Sequence, residues 1–116
     1  MTHKVGWGLN RFAAQSLMET ARDKSKGKPI ANNTRLYESS TTSHLCHHII
    51  KLHGNIIMEI YSNHIKLYDG GWKTVTTKAR LNQFGMWSVY QKDFDWYVIV
   101  DGKHEDFVNG MVLPYD

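Results

Sequence analysis

The chain has 116 residues, of which 41% are apolar and 22% charged, and its formal net charge is +3. This length fits one domain with a small core, and no stretch approaches the roughly 20 apolar residues that cross a bilayer. Because the N-terminus lacks the apolar run of a secretory signal and Cys46 is the single cysteine, we expect a cytoplasmic protein without disulfides.

The charge is distributed unevenly along the chain. Residues 1–52 hold eight Lys and Arg against three Asp and Glu, a net charge of +5. Residues 53–89 have a net charge of +2 and residues 90–116 a net charge of −4. The basic front of the chain favours an anionic partner, unless the two ends attract each other or only solvate the surface.

The first predicted element is an amphipathic helix over about residues 8–23. Its apolar residues recur at three- and four-residue spacing, and this stripe either docks on the core or meets a second subunit in a homodimer. The run "KSKGKP" (24–29) predicts the end of the helix and a solvated linker. We therefore divide the single domain into a helix with a basic linker (1–27) and a β-rich core (28–116).

The β-rich core is predicted from alternating and β-branched runs separated by turn residues. Near its middle, a helix over about 74–84 begins at a capping threonine, either Thr74 or Thr76. The resulting fold class is α+β, in which an N-terminal helix precedes an antiparallel sheet of five to seven strands, interrupted by one helix, in two layers. The predicted strands cover 34–39, 44–52, 56–61, 65–68, 86–92 and 95–101, with turns at 53–55, 69–71, 93–95 and 109–110 and a last short strand near the C-terminus.

Five segments of the chain form a recognisable set: "ANNTRL" (31–36), "LHGNII" (52–57), "GGWKTVTTKARLN" (70–82), "WYVIV" (96–100) and "FVNGMVL" (107–113). Together they resemble a family of small uncharacterised bacteriophage proteins with the pattern NNT, LHG, GGWxTxTTxxRLN and FxNGxxL. The resemblance covers about residue 28 to the C-terminus. It implies a phage protein and implies no particular activity.

The segment 70–82 is also the strongest candidate for chemistry. Glycines before a helix start expose backbone N–H groups to an anion, and nearby hydroxyls and cations add donors. The spacing of a P-loop is absent, so a nucleoside triphosphate site is not expected. Two interpretations stay open, a well-capped helix and a contact to backbone phosphates. The candidate phosphate-binding residues are Lys73, Thr76, Thr77, Lys78 and Arg80, together with Arg35 on a predicted strand.

The histidines and carboxylates give weaker signals. His44, Cys46 and His48 alternate along one strand and share a face, but a zinc site needs further ligands from elsewhere. Whether this face binds a metal stays open, and we expect no metal and no cofactor. The carboxylate pairs at 93/95 and 105/106 lie in predicted turns, where they usually bond their own backbone.

Ten tyrosine and tryptophan residues are many for a domain of this size. If some line an exposed sheet face beside Arg35, Lys51, Lys66 and Lys73, bases of a single strand could stack there. The alternative is that most of these rings fill a thin core.

The sequence therefore predicts a small non-enzymatic phage accessory protein that binds nucleic acid through phosphate contacts. The alternative function is a protein-binding module that inhibits or redirects a host protein. Neither prediction involves a membrane, and no motif supports an enzyme.

Overall fold

The computed structural model describes residues 11–38, 46–61, 64–71, 73–83 and 87–114. In these ranges the helices are α1 (Arg11–Glu19) and α2 (Val75–Gln83), and a 3₁₀ turn, Lys24–Lys26, follows α1. The strands are β1 (Lys28–Ala31), β2 (Thr34–Glu38), β3 (Cys46–Leu52), β4 (Asn55–Tyr61), β5 (His64–Leu67), β6 (Ser88–Lys92), β7 (Asp95–Val100), β8 (Lys103–Asp106) and β9 (Met111–Pro114).

The strands form two antiparallel sheets, a large one in the order β1-β2-β3-β4-β5-β9 and a small one in the order β6-β7-β8. The predicted α+β class with an N-terminal helix is therefore confirmed. The strands are more numerous than predicted and divide between two sheets. Along the chain, α2 separates β5 of the large sheet from β6 of the small sheet, and the last strand, β9, returns to pair with β5.

The run 24–29 is not a linker over its whole length, because a strand begins at Lys28. After the 3₁₀ turn the chain enters β1, an edge strand that pairs with β2 through Lys28 opposite Leu36. Pro29 is tolerated because an edge strand does not need every backbone N–H for the ladder. Between the turn and β1, Gly27 is buried at a φ of 80°, and a Cβ there would lie 2.8 Å from Cε2 of Tyr37.

One continuous core lies between the two sheets and the two helices. Ala14 and Met18 of α1 and Leu81 of α2 are fully buried, and Trp96 and Val98 bring the small sheet into the same cluster. The large sheet contributes alternate residues of its inner face, as the period of two in a strand requires. These inner-face residues are Thr34, Leu36, His48, Ile50, Leu52, Met58, Ile60, Ile65, Leu67 and Leu113. Because α1 fills part of this core, it is not separate from the β-rich unit.

The opposite face of the large sheet, here called the open face, points away from both helices and from the small sheet. One row of cross-strand neighbours runs from Tyr37 through Ile49, Glu59 and Lys66 to Val112. A neighbouring row includes Arg35, Lys51 and Ile56. Tyr61, two residues beyond Glu59 on β4, and His64, two residues before Lys66 on β5, belong to the same face.

Candidate nucleic-acid interface

The start of α2 is a capped helix. The Oγ1 of Thr74 accepts a hydrogen bond from the backbone N–H of Thr77 at 3.1 Å, and the two threonine hydroxyls lie 3.0 Å apart. The side chain of Thr74 thus satisfies one of the free N–H groups of the first turn, as an N-cap residue does. Of the two predicted caps, Thr74 is therefore the one that the structure shows.

Lys78 and Arg80 point in different directions from α2. Residues two apart lie on opposite sides of a helix. Lys78 Nζ donates to Gln91 Oε1 at 3.3 Å and lies 5.9 Å from the centre of the Trp96 ring, both on the small sheet. Arg80 Nε instead donates to Thr34 Oγ1 on the large sheet at 3.0 Å. Both cations therefore connect α2 to the sheets and do not form one anion-binding pair.

The structure does not bring the six predicted phosphate-binding residues together. Lys73 and Thr76 are exposed at the start of α2, but Thr77 is only 4% exposed. A groove of about 320 Å³ is lined by Thr76 and Thr77, and among the described residues its lining includes Asp69 and neither lysine nor arginine. Arg35 is a residue of β2, and its side chain is on the open face. The helix start thus offers an anion fewer cations than the sequence indicated.

Arg35 and Lys51 are directly opposite each other on β2 and β3. The Nη1 of Arg35 donates to the carbonyl oxygens of Lys26 and Gly27 at 3.1 and 3.4 Å. The Nζ of Lys51 lies 5.0 Å from the centre of the Tyr37 ring. Within the described ranges neither side chain makes an ion pair, so two like charges face each other without a carboxylate between them.

More cations surround this pair at the β1 edge. Arg35 lines two adjoining grooves, one of about 270 Å³ that also contains Lys51 and His53, and one of about 490 Å³. Among the described residues, the second groove contains Arg22, Lys26 and Lys28 besides Arg35, and one carboxylate, that of Asp23. Hydrogen bonds from Ser25 to this carboxylate lower the pKa of Asp23, so it keeps its charge at neutral pH. The cations in this region still outnumber the carboxylates.

The sequence alone missed Arg22, Lys26 and Lys28 as neighbours of Arg35. The lysines of "KSKGKP" are visible in the sequence, but a segment predicted to be a solvated linker is not expected to lie beside β2. The pairing of β1 with β2 provides that reason, because it brings residues 26–28 alongside Arg35 and Leu36.

The small sheet has the opposite charge. Asp93 and Asp95 are exposed around the β6–β7 turn, and Glu105 and Asp106 are exposed on β8 rather than in the predicted turn. Loss of hydration first, and then the charges of Asp95 and Asp106, raise the pKa of Tyr97. The uneven charge of the sequence thus becomes a basic edge on the large sheet and an acidic small sheet.

The histidine face is only partly described. His48 is 3% exposed, and burial lowers the pKa of its imidazole. His44 lies outside the described residues, as does the side chain of Cys46. In the part of the chain that the structure describes, no group of three or more His, Cys, Asp and Glu side chains is arranged to hold a metal ion.

The Kyanoviridae Gp96 protein family matches residues 13–114, and the chain belongs to this phage protein family. No curated protein and no solved structure matches the chain. The prediction that the chain belongs to a phage protein family is therefore confirmed, while the family pattern of short motifs stays a prediction. Neither described helix is long and apolar enough to cross a membrane.

Proposed function

We propose that the protein is a non-enzymatic phage accessory protein that binds nucleic acid through phosphate contacts on its open face. The observation that carries the proposal is the pair of Arg35 and Lys51, directly opposite each other in the β2–β3 register. Like charges in this position destabilise a sheet. An anionic partner between them converts this repulsion into two favourable contacts, because phosphate oxygens accept hydrogen bonds from both side chains.

The surroundings of the pair support an extended anion rather than a small one. The two grooves that meet at Arg35 continue the positive charge from Lys51 to Lys26 and Lys28. A chain of phosphates can follow such an edge, whereas one small anion would occupy a fraction of it. Contacts of this kind position a nucleic acid without reading its sequence, so we expect little sequence preference.

The proposal is tested by charge reversal at one position with a matched control elsewhere. Lys51→Glu and Lys103→Glu change the net charge equally, but Lys103 lies exposed at the start of β8 on the acidic small sheet. Fluorescence anisotropy with labelled oligonucleotides, at several salt concentrations, measures the affinity of each variant. We expect Lys51→Glu to weaken binding and to reduce the slope of log affinity against log salt by about one, and Lys103→Glu to change the slope little.

The same titration decides between the open face and the start of α2. Lys73 and Thr76 are the predicted phosphate-binding residues that stay exposed on α2 and its leading turn. A loss of affinity in Lys73→Glu equal to that in Lys51→Glu would extend the interface to the helix start. Equal affinity in the wild type and Lys51→Glu, or no measurable binding by either, would remove the open face as a phosphate-binding surface.

One observation favours the alternative function, binding to a host protein. Phe94 at the β6–β7 turn is 91% exposed, and its φ of 72° is uncommon for a bulky residue. Exposed aromatic rings often anchor protein partners. If this alternative is correct, Phe94→Gly abolishes binding to the host partner and leaves any affinity for oligonucleotides unchanged.

A further inference from the structure

The open face carries an ordered aromatic stack beside its cations. The rings of Tyr61 and His64 are stacked with centres 4.4 Å apart and planes within 10° of parallel. The Nζ of Lys66 lies 5.1 Å from the centre of the Tyr61 ring. Both rings stand on the face of the sheet away from the core and are half-buried, so part of each ring is accessible. A flat aromatic surface next to a cation is the combination that single-strand-binding proteins use.

A carboxylate between the tyrosines fixes the position of the stack. Glu59 Oε1 accepts hydrogen bonds from the hydroxyl of Tyr61 at 3.0 Å and from that of Tyr68 at 2.7 Å. Both tyrosine rings are therefore held in place before any ligand arrives. Rings that are already ordered lose less conformational entropy on binding, so stacking on them contributes more to affinity.

His64 is suited to stacking rather than to holding a phosphate. Partial burial first, and then the nearby charge of Lys66, lower the pKa of its imidazole. At neutral pH the ring is therefore mainly uncharged. The imidazole then acts as an aromatic surface, while Lys66 provides the positive charge beside it.

One short single strand of nucleic acid can reach both the cations and the Tyr61–His64 stack. Arg35 on β2 and Lys66 on β5 are three strand spacings apart, about 14 Å, and their rows are offset by two residues along the strands, about 7 Å, which together give about 16 Å. At the roughly 3.4 Å spacing of stacked nucleotides, this distance corresponds to about five nucleotides. A duplex keeps its bases paired inside the helix, so it can use the cations but not the rings.

From these contacts we infer that the open face binds single-stranded nucleic acid, with phosphates at Arg35 and Lys51 and a base stacked against the Tyr61–His64 pair. This inference rests on the proposed function, to which it adds the class of nucleic acid and the part played by the bases. Sequence tolerance follows, because every base has an aromatic face.

The test separates stacking on bases from contacts to phosphates. Three labelled probes of about 12 nucleotides, a length within the range that small single-strand-binding folds cover, are compared by anisotropy. They are a mixed-sequence single strand, the duplex of the same sequence, and an abasic strand that keeps the sugars and phosphates. We expect the intact strand to bind at least about fivefold more tightly than the abasic strand.

Tyr61→Leu removes the ring but keeps an apolar side chain. It should abolish the preference for the intact strand and leave the affinity for the abasic strand within about twofold. Tyr90→Leu is the matched control, because Tyr90 is a half-buried tyrosine stacked on Tyr97 in the small sheet. Circular dichroism checks the fold of each variant, and His64→Leu serves as a second test if Tyr61→Leu does not fold.

The outcomes distinguish this inference from the function on which it rests. Equal affinity for all three probes overturns the stacking inference while leaving phosphate binding in place. A preference for intact single strands that survives both Tyr61→Leu and His64→Leu also overturns it, because the base would then stack elsewhere. Absence of binding to every probe removes the proposed function and this inference together.

Discussion

Replacement of Gly27 by alanine should destabilise the protein through two separate effects. Gly27 has a φ of 80°, in the left-handed region that residues with a Cβ disfavour. In addition, the new Cβ would lie 2.8 Å from Cε2 and 2.9 Å from Cζ of Tyr37, and 3.0 Å from the carbonyl oxygen of Leu36. Because real Cβ atoms do not approach carbon atoms this closely, either the ring or the β1 edge has to move.

The two effects can be given separate magnitudes. The left-handed conformation costs an alanine roughly 1–2 kcal/mol. Overpacking against a ring and a backbone oxygen costs a further 1–3 kcal/mol, about the range for an added methyl group in a well-packed site. Gly102, in the β7–β8 turn, provides the control. Its φ is 76°, and a Cβ there would meet nothing within 4 Å, so Gly102→Ala carries the conformational cost alone.

Thermal unfolding of the two variants beside the wild type measures the difference. The steric part alone should lower the midpoint of Gly27→Ala by about 4–12 °C below that of Gly102→Ala, at about 4 °C per kcal/mol for a domain of this size. Equal midpoints for the two variants would refute the close packing of Tyr37 on Gly27, and with it the position of Tyr37 beside Lys51.

Three further predictions concern the core, a turn and a buried histidine. Met18→Ala should lower the free energy of unfolding by about 2–5 kcal/mol in urea denaturation, because Met18 is fully buried; a loss below 1 kcal/mol would show that α1 is not part of the core. Phe94→Gly should raise the thermal midpoint by a few degrees, because glycine relieves the φ of 72° at about 1 kcal/mol; a lower midpoint would contradict this reasoning. Burial lowers the pKa of His48, so on acidification the unfolded chain binds a proton that the folded protein does not. The free energy of unfolding should therefore fall as the pH drops below about 6.5, by at most about 1.4 kcal/mol per pH unit. Urea titrations between pH 5 and pH 8 should show a weaker pH dependence for His48→Leu.

Local patterns in the sequence predicted most elements correctly. The turn at 53–55 follows from Gly54, and the structure places a tight turn there, with positive φ at His53 and Gly54. The helix predicted over 74–84 is observed as Val75–Gln83, and its cap depends on atoms only three residues apart. Elements of this kind are predictable because the interactions that form them lie within a few residues along the chain.

Elements that depend on distant partners were predicted less well. β1 has a lysine and a proline and no alternating apolar pattern, and it is a strand because β2 provides its hydrogen-bonding partner. The candidate site shows the same dependence. Arg35, Lys51 and Lys66 were each identifiable as cations near predicted strands, but the opposition of Arg35 to Lys51 depends on the β2–β3 register.

The sequence by itself determined the α+β class, the capped start of α2, the uneven charge and the resemblance to phage proteins. Each of these follows from residue identity and short-range spacing, which tertiary contacts do not alter. Only the tertiary structure decided that Lys78 and Arg80 diverge toward different sheets and that Tyr61, His64 and Lys66 come together on the open face. The physical reason is that strand order and register are set by burying one face of the sheet in the shared core, and this choice fixes which side chains meet on the other face.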